Sequence, residues 1–168
     1  MRKFEKVSFE QYYMDFVDTF GVDNKEAIFT IYNDIKLPKR ATKGSAGYDF
    51  FAPTSFILEP GKTIKIPTGI RVLMNEGEVF ILCPRSSLGF KYRMQLNNTL
   101  GIIDFDYAES DNEGHIFAKI TNDTNEDKVL SVEAGGAFMQ GIFMNYLITD
   151  DDEVTKTRNG GMGSTDQE

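Results

Sequence analysis

The chain has 168 residues, of which 40% are hydrophobic, and it carries a formal net charge of −8. This length allows one domain with a substantial core, and the negative charge argues against a nucleic-acid-binding protein, which usually needs a basic face. It has no apolar stretch long enough to span a membrane, no signal-peptide pattern and only a single cysteine, so we expect a globular cytoplasmic protein that binds neither nucleic acid nor membrane.

The N-terminal segment predicts a helix over residues 8–20. Ser8 is a candidate N-cap with Gln11 three positions later, apolar residues follow at helical spacing, and Gly21 ends the pattern. We interpret residues 1–26 as a helical appendage that packs against the rest of the chain. A partner-binding helix is the alternative interpretation.

Residues 27–148 predict an all-β domain of the jelly-roll kind, because short segments rich in Ile, Phe, Val and Thr alternate with turns containing Gly, Pro and Asn. Residues 149–168 form an acidic linker followed by a Gly-rich tail. The predicted strands are Ala27–Tyr32, Thr54–Leu58, Thr63–Pro67, Ile70–Met74, Val79–Cys83, Ile102–Phe105, Ile116–Thr121 and Ala137–Leu147.

Polar residues with possible chemistry lie beside strand ends. Asp49 comes after a glycine at the mouth of a strand, where an aspartate ordinarily caps a turn. Arg85, Ser86 and Ser87 come directly after an apolar strand. An arginine with two hydroxyls can hold a phosphate through charge-assisted hydrogen bonds, although an ordinary polar loop has the same composition.

The segment from Asn97 to Tyr107 predicts a hairpin. Apolar neighbours surround Asp104 in the sequence, which favours a carboxylate that can act as a base. Tyr107 can form a wall for a sugar or base, or it can pack across strands. In the tail, Arg158 and the glycines and hydroxyls after it suit closure over an anion, and a disordered terminus is the alternative.

Taken in order, five segments resemble the five motifs of the trimeric deoxyuridine triphosphatases (dUTPases). The resemblance covers roughly residues 28–166. It implies a homotrimer of jelly-roll (β-clip) subunits with active sites shared between subunits, and hydrolysis of dUTP to dUMP and pyrophosphate assisted by Mg²⁺. The five segments are Ala46–Phe50, Pro84–Leu88, Gly101–Tyr107, Gly135–Gln140 and Arg158–Thr165.

The resemblance also implies roles for individual residues. Asp104 would orient and deprotonate the water that attacks the α-phosphorus, Tyr107 would stack beneath the deoxyribose, and Asp49 would contact Mg²⁺ through water. Asn98 and the backbone at Ile102 and Phe117 would bind the uracil. The implied phosphate ligands are Arg85, Ser86, Ser87 and Gln140, and the closing tail would contribute Arg158, Met162, Gly163, Ser164 and Thr165.

Three features depart from the family pattern. Met162 replaces the usual phenylalanine that stacks on uracil, and Asp166 replaces a glycine. Residues 108–112 are an acidic insertion, which we expect to be a solvated loop; a reshaped hairpin and a contribution to metal binding are the alternatives.

The sequence leaves two other functions open. A dCTP deaminase, possibly bifunctional, would need a glutamate to activate water, and Glu109 and Glu113 are its candidates in this segment. A non-enzymatic regulator that shares the fold is the second. The sequence Asp104-Phe-Asp106-Tyr107 favours the phosphatase.

Overall fold

The computed structural model describes residues 1–158, which form twelve β-strands, three α-helices and one 3-10 helix. The helices are α1 Phe9–Phe20, α2 Lys25–Asp34 and α3 Ser86–Tyr92, with the 3-10 helix at Phe105–Glu109. The strands are β1 Lys3–Lys6, β2 Lys39–Arg40, β3 Tyr48–Phe51, β4 Phe56–Leu58, β5 Thr63–Pro67, β6 Ile70–Leu73, β7 Glu78–Pro84, β8 Met94–Leu96, β9 Gly101–Asp104, β10 Phe117–Asn122, β11 Leu130–Val132 and β12 Ala137–Asn145.

The strands pair antiparallel in four sheets. The largest sheet has the order β2-β3-β12-β7-β9, the next has the order β5-β10-β8, and β1-β6 and β4-β11 form two-stranded sheets. Many hydrogen-bonded neighbours are distant in sequence, which indicates crossovers between sheets. The predicted all-β jelly-roll class is confirmed. Among residues 1–158, no helix has both the length and the apolar character that crossing a membrane requires.

Aromatic side chains dominate the core beneath the five-stranded sheet. Phe50, Phe80 and Phe138 are each at most 1% exposed. Phe4 of β1 packs its ring against Phe80, with the ring centroids 5.3 Å apart in an edge-to-face geometry. Such pairs add roughly 0.5–1.5 kcal/mol beyond the burial of their area. The N-terminal strand is thereby fixed to the β-sheet core.

Helix α1 begins and ends as predicted. The Ser8 hydroxyl accepts a hydrogen bond from the Gln11 N–H at 3.1 Å, and Gly21 closes the helix in the left-handed conformation with φ of 65°. Tyr12 and Phe16 are buried on its inner face. The helix therefore packs against the rest of the chain, in agreement with the favoured interpretation of its role.

The predicted strand Ala27–Tyr32 is wrong, because these residues lie in α2. The Asn24 side chain accepts a hydrogen bond from the Ala27 N–H at 3.1 Å and caps the helix. Ile28 is buried and Ile31 is partly buried, and this three-residue spacing is helical rather than alternating.

The predicted hairpin between Asn97 and Tyr107 is also wrong. Strand β8 pairs with β10, whereas β9 pairs with β7, so the two strands belong to different sheets. The turn between them includes Thr99, whose φ of 67° lies in the left-handed region. The chain leaves one sheet for another at this turn, and a cavity opens where it does so.

Candidate active site

Six of the predicted site residues line one cavity of about 330 Å³, here called the Tyr107 cavity. Strand β9 supplies two of them, and the turn before it, the 3-10 helix after it, the start of β10 and the chain near residue 158 supply the others. The structure thus brings together every described residue predicted for the base, the sugar and the attacking water, and it adds the first residue of the predicted closing tail. The six residues are Asn98, Ile102, Asp104, Tyr107, Phe117 and Arg158.

Tyr107 is held firmly in this cavity. Its side chain is only 5% exposed, and its hydroxyl donates to the His115 carbonyl and accepts from the Asn112 amide, both at 3.0 Å. Burial raises the pKa of the Tyr107 phenol, so it remains a hydrogen-bond donor at neutral pH. The ring is therefore a fixed surface rather than a mobile one.

The insertion at residues 108–112 is not the solvated loop that we expected. Ala108 and Ser110 are buried, and the Ser110 hydroxyl donates to the Tyr107 carbonyl at 2.7 Å. Gly114 has φ of 72°, and a Cβ there would lie 2.6 Å from the Ala108 Cα, so only glycine fits. The insertion instead reshapes the segment and packs behind Tyr107. Residues 1–158 contain no cluster of three or more His, Cys, Asp or Glu side chains arranged for a metal.

Asp104 lies at the end of β9, and its side chain is 51% exposed. Its predicted enclosure by apolar residues is wrong, because strand alternation turns Ile103 into the core and Asp104 away from it. Its partner is Arg158, whose guanidinium lies 2.5 Å from Asp104 and 2.9 Å from Asp106. The guanidinium carbon is 5.6 Å from the centre of the Tyr107 ring. Sequence reasoning assigned no role to Asp106, although its place two residues after Asp104 was a usable signal.

A second cavity, of about 600 Å³, is here called the Arg85 cavity. Arg85 lies 3.0 Å from the Asp49 carboxylate, and the Gln140 amide donates to the Pro84 carbonyl at 3.2 Å. A Cβ at Gly47 would lie 2.3 Å from Gln140 Oε1, so a larger residue there would require the Gln140 side chain to move. The predicted phosphate residues and the predicted metal contact are together here, namely Asp49, Arg85, Ser86, Ser87 and Gln140.

The ligands available in the Arg85 cavity limit how a divalent cation can bind. Mg²⁺ requires six oxygen ligands in octahedral geometry and usually keeps several waters. Among residues 1–158, Asp49 is the one carboxylate that lines this cavity, and Arg85 already contacts it. This donor set fits a cation held mainly by phosphate and water, with Asp49 as an outer contact, and does not fit an all-protein cage.

The two cavities are separate and, among the described residues, share no lining residue. In β7, Leu82 lines the Tyr107 cavity and the next residue, Cys83, lines the Arg85 cavity. In β12, Met139 and Gln140 divide in the same way. Alternation accounts for this division in β7 and β12 but not in β9, where Ile102, Ile103 and Asp104 all line the Tyr107 cavity and Asp104, paired with Val79, lies on the same face of the sheet as Cys83.

The two candidate glutamates for the deaminase alternative lie outside the Tyr107 cavity. Glu113 accepts hydrogen bonds from the Ser8 N–H and hydroxyl, both at 2.7 Å, and Glu109 is exposed. Neither lines the Tyr107 cavity. The predicted tail residues Met162, Gly163, Ser164 and Thr165 lie outside the described residues.

Comparisons with known proteins by sequence and by structure identify the same family. Residues 33–166 match the family model for dUTPase. The chain is 43% identical over 134 residues to the deoxyuridine 5'-triphosphate nucleotidohydrolase of Lactococcus lactis subsp. lactis (strain IL1403), covering 78% of this chain and 88% of that protein.

The crystal structure of a dUTPase from Streptococcus mutans superposes with a TM-score of 0.63 at 35% identity, covering 88% of this chain and 98% of that chain. The dUTPase of Staphylococcus bacteriophage 80alpha, solved with dUPNHPP, superposes with a TM-score of 0.63 and covers 95% of this chain and 90% of that one. At 19% identity, this second likeness concerns the fold alone.

Proposed function

We propose that this chain, which belongs to the dUTPase family, hydrolyses dUTP to dUMP and pyrophosphate. It is a dUTP diphosphatase, a hydrolase of nucleotide metabolism. The observation that carries the assignment is the Tyr107 cavity, where six residues with implied roles toward uracil, deoxyribose, water and phosphate lie together. The dCTP deaminase alternative is not favoured, because Glu113 caps α1 and Glu109 is exposed.

The Tyr107 cavity would bind the nucleoside. Asn98 and the backbone at Ile102 and Phe117 would form hydrogen bonds with the uracil edge, where a 5-methyl or 4-amino group does not fit. The Tyr107 ring would lie beneath the deoxyribose and leave no room for a 2′-hydroxyl. The two hydrogen bonds of its hydroxyl support this role, since they fix the ring against displacement.

The chemical step assigned to this site is attack of water on the α-phosphorus. Asp104 would accept a proton from that water while the bond from the α-phosphorus to the bridging oxygen breaks and pyrophosphate leaves. The exposure of Asp104 to the cavity supports this role, because water can reach its carboxylate. Arg158 would have to exchange its contact with Asp104 for the γ-phosphate, where it would act with Gly163, Ser164 and Thr165, while Met162 covers the uracil.

The Arg85 cavity would bind the triphosphate through Arg85, Ser86, Ser87 and Gln140. A divalent cation assists the reaction in this family, and we propose Mg²⁺ held by the phosphates with Asp49 in contact through water. The cation neutralises charge that develops on the phosphate oxygens, which phosphoryl transfer needs more than covalent catalysis. The guanidinium of Arg85 supplies further neutralisation in a protein whose net charge is −8.

The separation of the two cavities supports a homotrimer with shared sites. Because the cavities share no lining residue within the described part of one subunit, we propose that the substrate lies between subunits and uses the Tyr107 cavity of one and the Arg85 cavity of another. The outward face of the β7-β12 pair supports such an interface, since Ile81 and Ile142 are register partners there and both are only partly buried. Met144, farther along the same face, is 49% exposed. Apolar residues on an outward sheet face are typical of an interface.

The first test is pyrophosphate release from dUTP, dTTP, dCTP and UTP with Mg²⁺, with ammonia followed in parallel. Selective release from dUTP is the expected result. Ammonia from dCTP would instead identify a deaminase. A correctly folded protein that acts on none of the four nucleotides would overturn the enzymatic assignment and favour a regulatory binding protein.

A further inference from the structure

We propose that Asp15 and His115 are positioning residues for deoxyribose selection, which they achieve by fixing the Tyr107 and Phe117 walls of the cavity from behind. This inference rests on the proposed dUTPase activity. It assigns a role to α1 in an active site that this helix does not line.

His115 is fully buried between α1 and the start of β10. Its Nε2 accepts a hydrogen bond from the Gly69 N–H at 2.8 Å, so the ring proton is on Nδ1 and is donated to the Asp15 carboxylate at 2.5 Å. Asp15 also accepts from the Gln11 side chain at 2.9 Å. Both ring nitrogens are therefore used, and the orientation of the imidazole is fixed.

The other contacts of His115 face the substrate side. Its carbonyl accepts the Tyr107 hydroxyl at 3.0 Å, and its ring centroid lies 4.6 Å from that of Phe117. His115 thus touches one residue assigned to the sugar and one assigned to uracil. Release of its ring from Asp15 would allow both walls to shift together.

A second attachment joins α1 to the same segment. Glu113, two residues before His115, accepts the Ser8 N–H and hydroxyl at the start of α1. Burial alone would raise the pKa of Glu113, but the two Ser8 hydrogen bonds and nearby Arg71 lower it below its usual value. The start of α1 is therefore held independently of Asp15, so loss of the Asp15 contact alone should loosen His115 without detaching the helix.

The test is the ratio of kcat/KM for dUTP to kcat/KM for UTP. Asp15→Ala should lower this ratio on the order of 10- to 100-fold, because a wall displaced by a fraction of an ångström admits the 2′-hydroxyl and misplaces the sugar. Asp15→Asn should retain most of the selectivity, since its side-chain oxygen still accepts the Nδ1 proton. Asp18→Ala, at an exposed position of the same helix, is the matched control and should match the wild type.

A purely structural role for Asp15 predicts a different result. Partial unfolding lowers the amount of active enzyme equally for both substrates, so it leaves the ratio unchanged. A folded Asp15→Ala protein with the wild-type ratio would overturn the proposal. Failure of the wild type to hydrolyse dUTP would instead overturn the proposed function, so the two failures are distinguishable.

A measurement on the wild type keeps the proposal testable if Asp15→Ala does not fold. His115 is the single histidine of the chain, so its imidazole gives one set of nitrogen resonances in an NMR spectrum. Binding of dUDP should shift them, and UDP at the same concentration should shift them much less. Unchanged resonances with saturating dUDP would contradict the coupling of His115 to the sugar pocket.

Discussion

Leu82 and Cys83 are consecutive residues of β7, yet Leu82 lines the Tyr107 cavity and Cys83 lines the Arg85 cavity. Over residues 1–158 the two cavities share no lining residue, so the proposed nucleoside and phosphate pockets are separate within one subunit. In a trimer, the phosphate pocket of one subunit can meet the nucleoside pocket of another. We therefore expect assembly to be required for activity.

Mixed trimers test this requirement directly. Asp104→Asn and Arg85→Ala subunits should each be nearly inactive alone, because each lacks one half of the site. Co-expression of the two with different tags should restore the activity of doubly tagged trimers to about one third of the wild type, because a cyclic trimer of either mixed composition has one fully intact site of its three. Pyrophosphate release from the doubly tagged fraction measures it.

The control for this experiment is a subunit that carries both substitutions, mixed with the Asp104→Asn subunit. No site in that mixture has an intact Asp104, so it should stay inactive. If the mixture of the two single variants is no more active than this control, both halves of a site come from one subunit.

Asp104→Asn should lower kcat for dUTP by roughly 10²- to 10⁴-fold, because the amide is nearly isosteric but cannot accept the proton of the attacking water. The affinity for dUDP should remain within roughly a few-fold of that of the wild type, because the base contributes little to binding in the ground state. Rapid-quench kinetics and calorimetry measure the two effects. A wild-type rate would remove Asp104 from the chemical step.

Truncation after Thr157 removes Arg158 and the glycine-rich tail together, and it should lower turnover of dUTP sharply without unfolding the β-sheet body. Arg158 contacts Asp104 and Asp106, which are 51% and 31% exposed, and ion pairs with such exposed carboxylates contribute only about 0–1 kcal/mol to stability. Thermal unfolding should therefore change little. An unchanged rate would exclude the tail from the reaction.

Arg158→Lys separates the role of the arginine from that of the tail. The guanidinium reaches two carboxylates with two different nitrogens, which a single ammonium cannot reproduce. We expect a loss of turnover smaller than that of the truncation. Equal losses would indicate that the tail acts mainly by carrying this arginine.

The parts of this site that could be predicted from sequence are those with local signals. Helix α1 has a cap and a glycine stop, and β5 lies at its predicted bounds, Thr63–Pro67. Helix α2 was predicted as a strand because its apolar residues are nearly continuous, and such a run does not distinguish the helical period from the strand period. The buried insertion was missed because acidic composition indicates exposure, whereas packing of Ala108 and Ser110 against Tyr107 depends on contacts distant in sequence.

The contact between Ser8 and Glu113 should make stability depend on pH in the acidic range. Glu113 has a pKa below its ordinary value of 4.5, so the folded state binds its proton less tightly than the unfolded state. This contribution is fully present above that value and is lost as pH falls through the folded pKa. Glu113→Gln should lower the melting temperature near neutral pH by roughly 2–4 °C, from the loss of about one hydrogen bond.

Melting curves of Glu113→Gln and of the exposed control Glu109→Gln, recorded from pH 7 to pH 3, measure the effect. The gap between wild type and Glu113→Gln should narrow below about pH 4.5, because the protonated glutamate then resembles the amide. Glu109→Gln should follow the wild type throughout. A gap that stays constant or widens as the pH falls would show that Glu113 does not bind Ser8 as a carboxylate, and α1 would then need another attachment to the segment behind Tyr107.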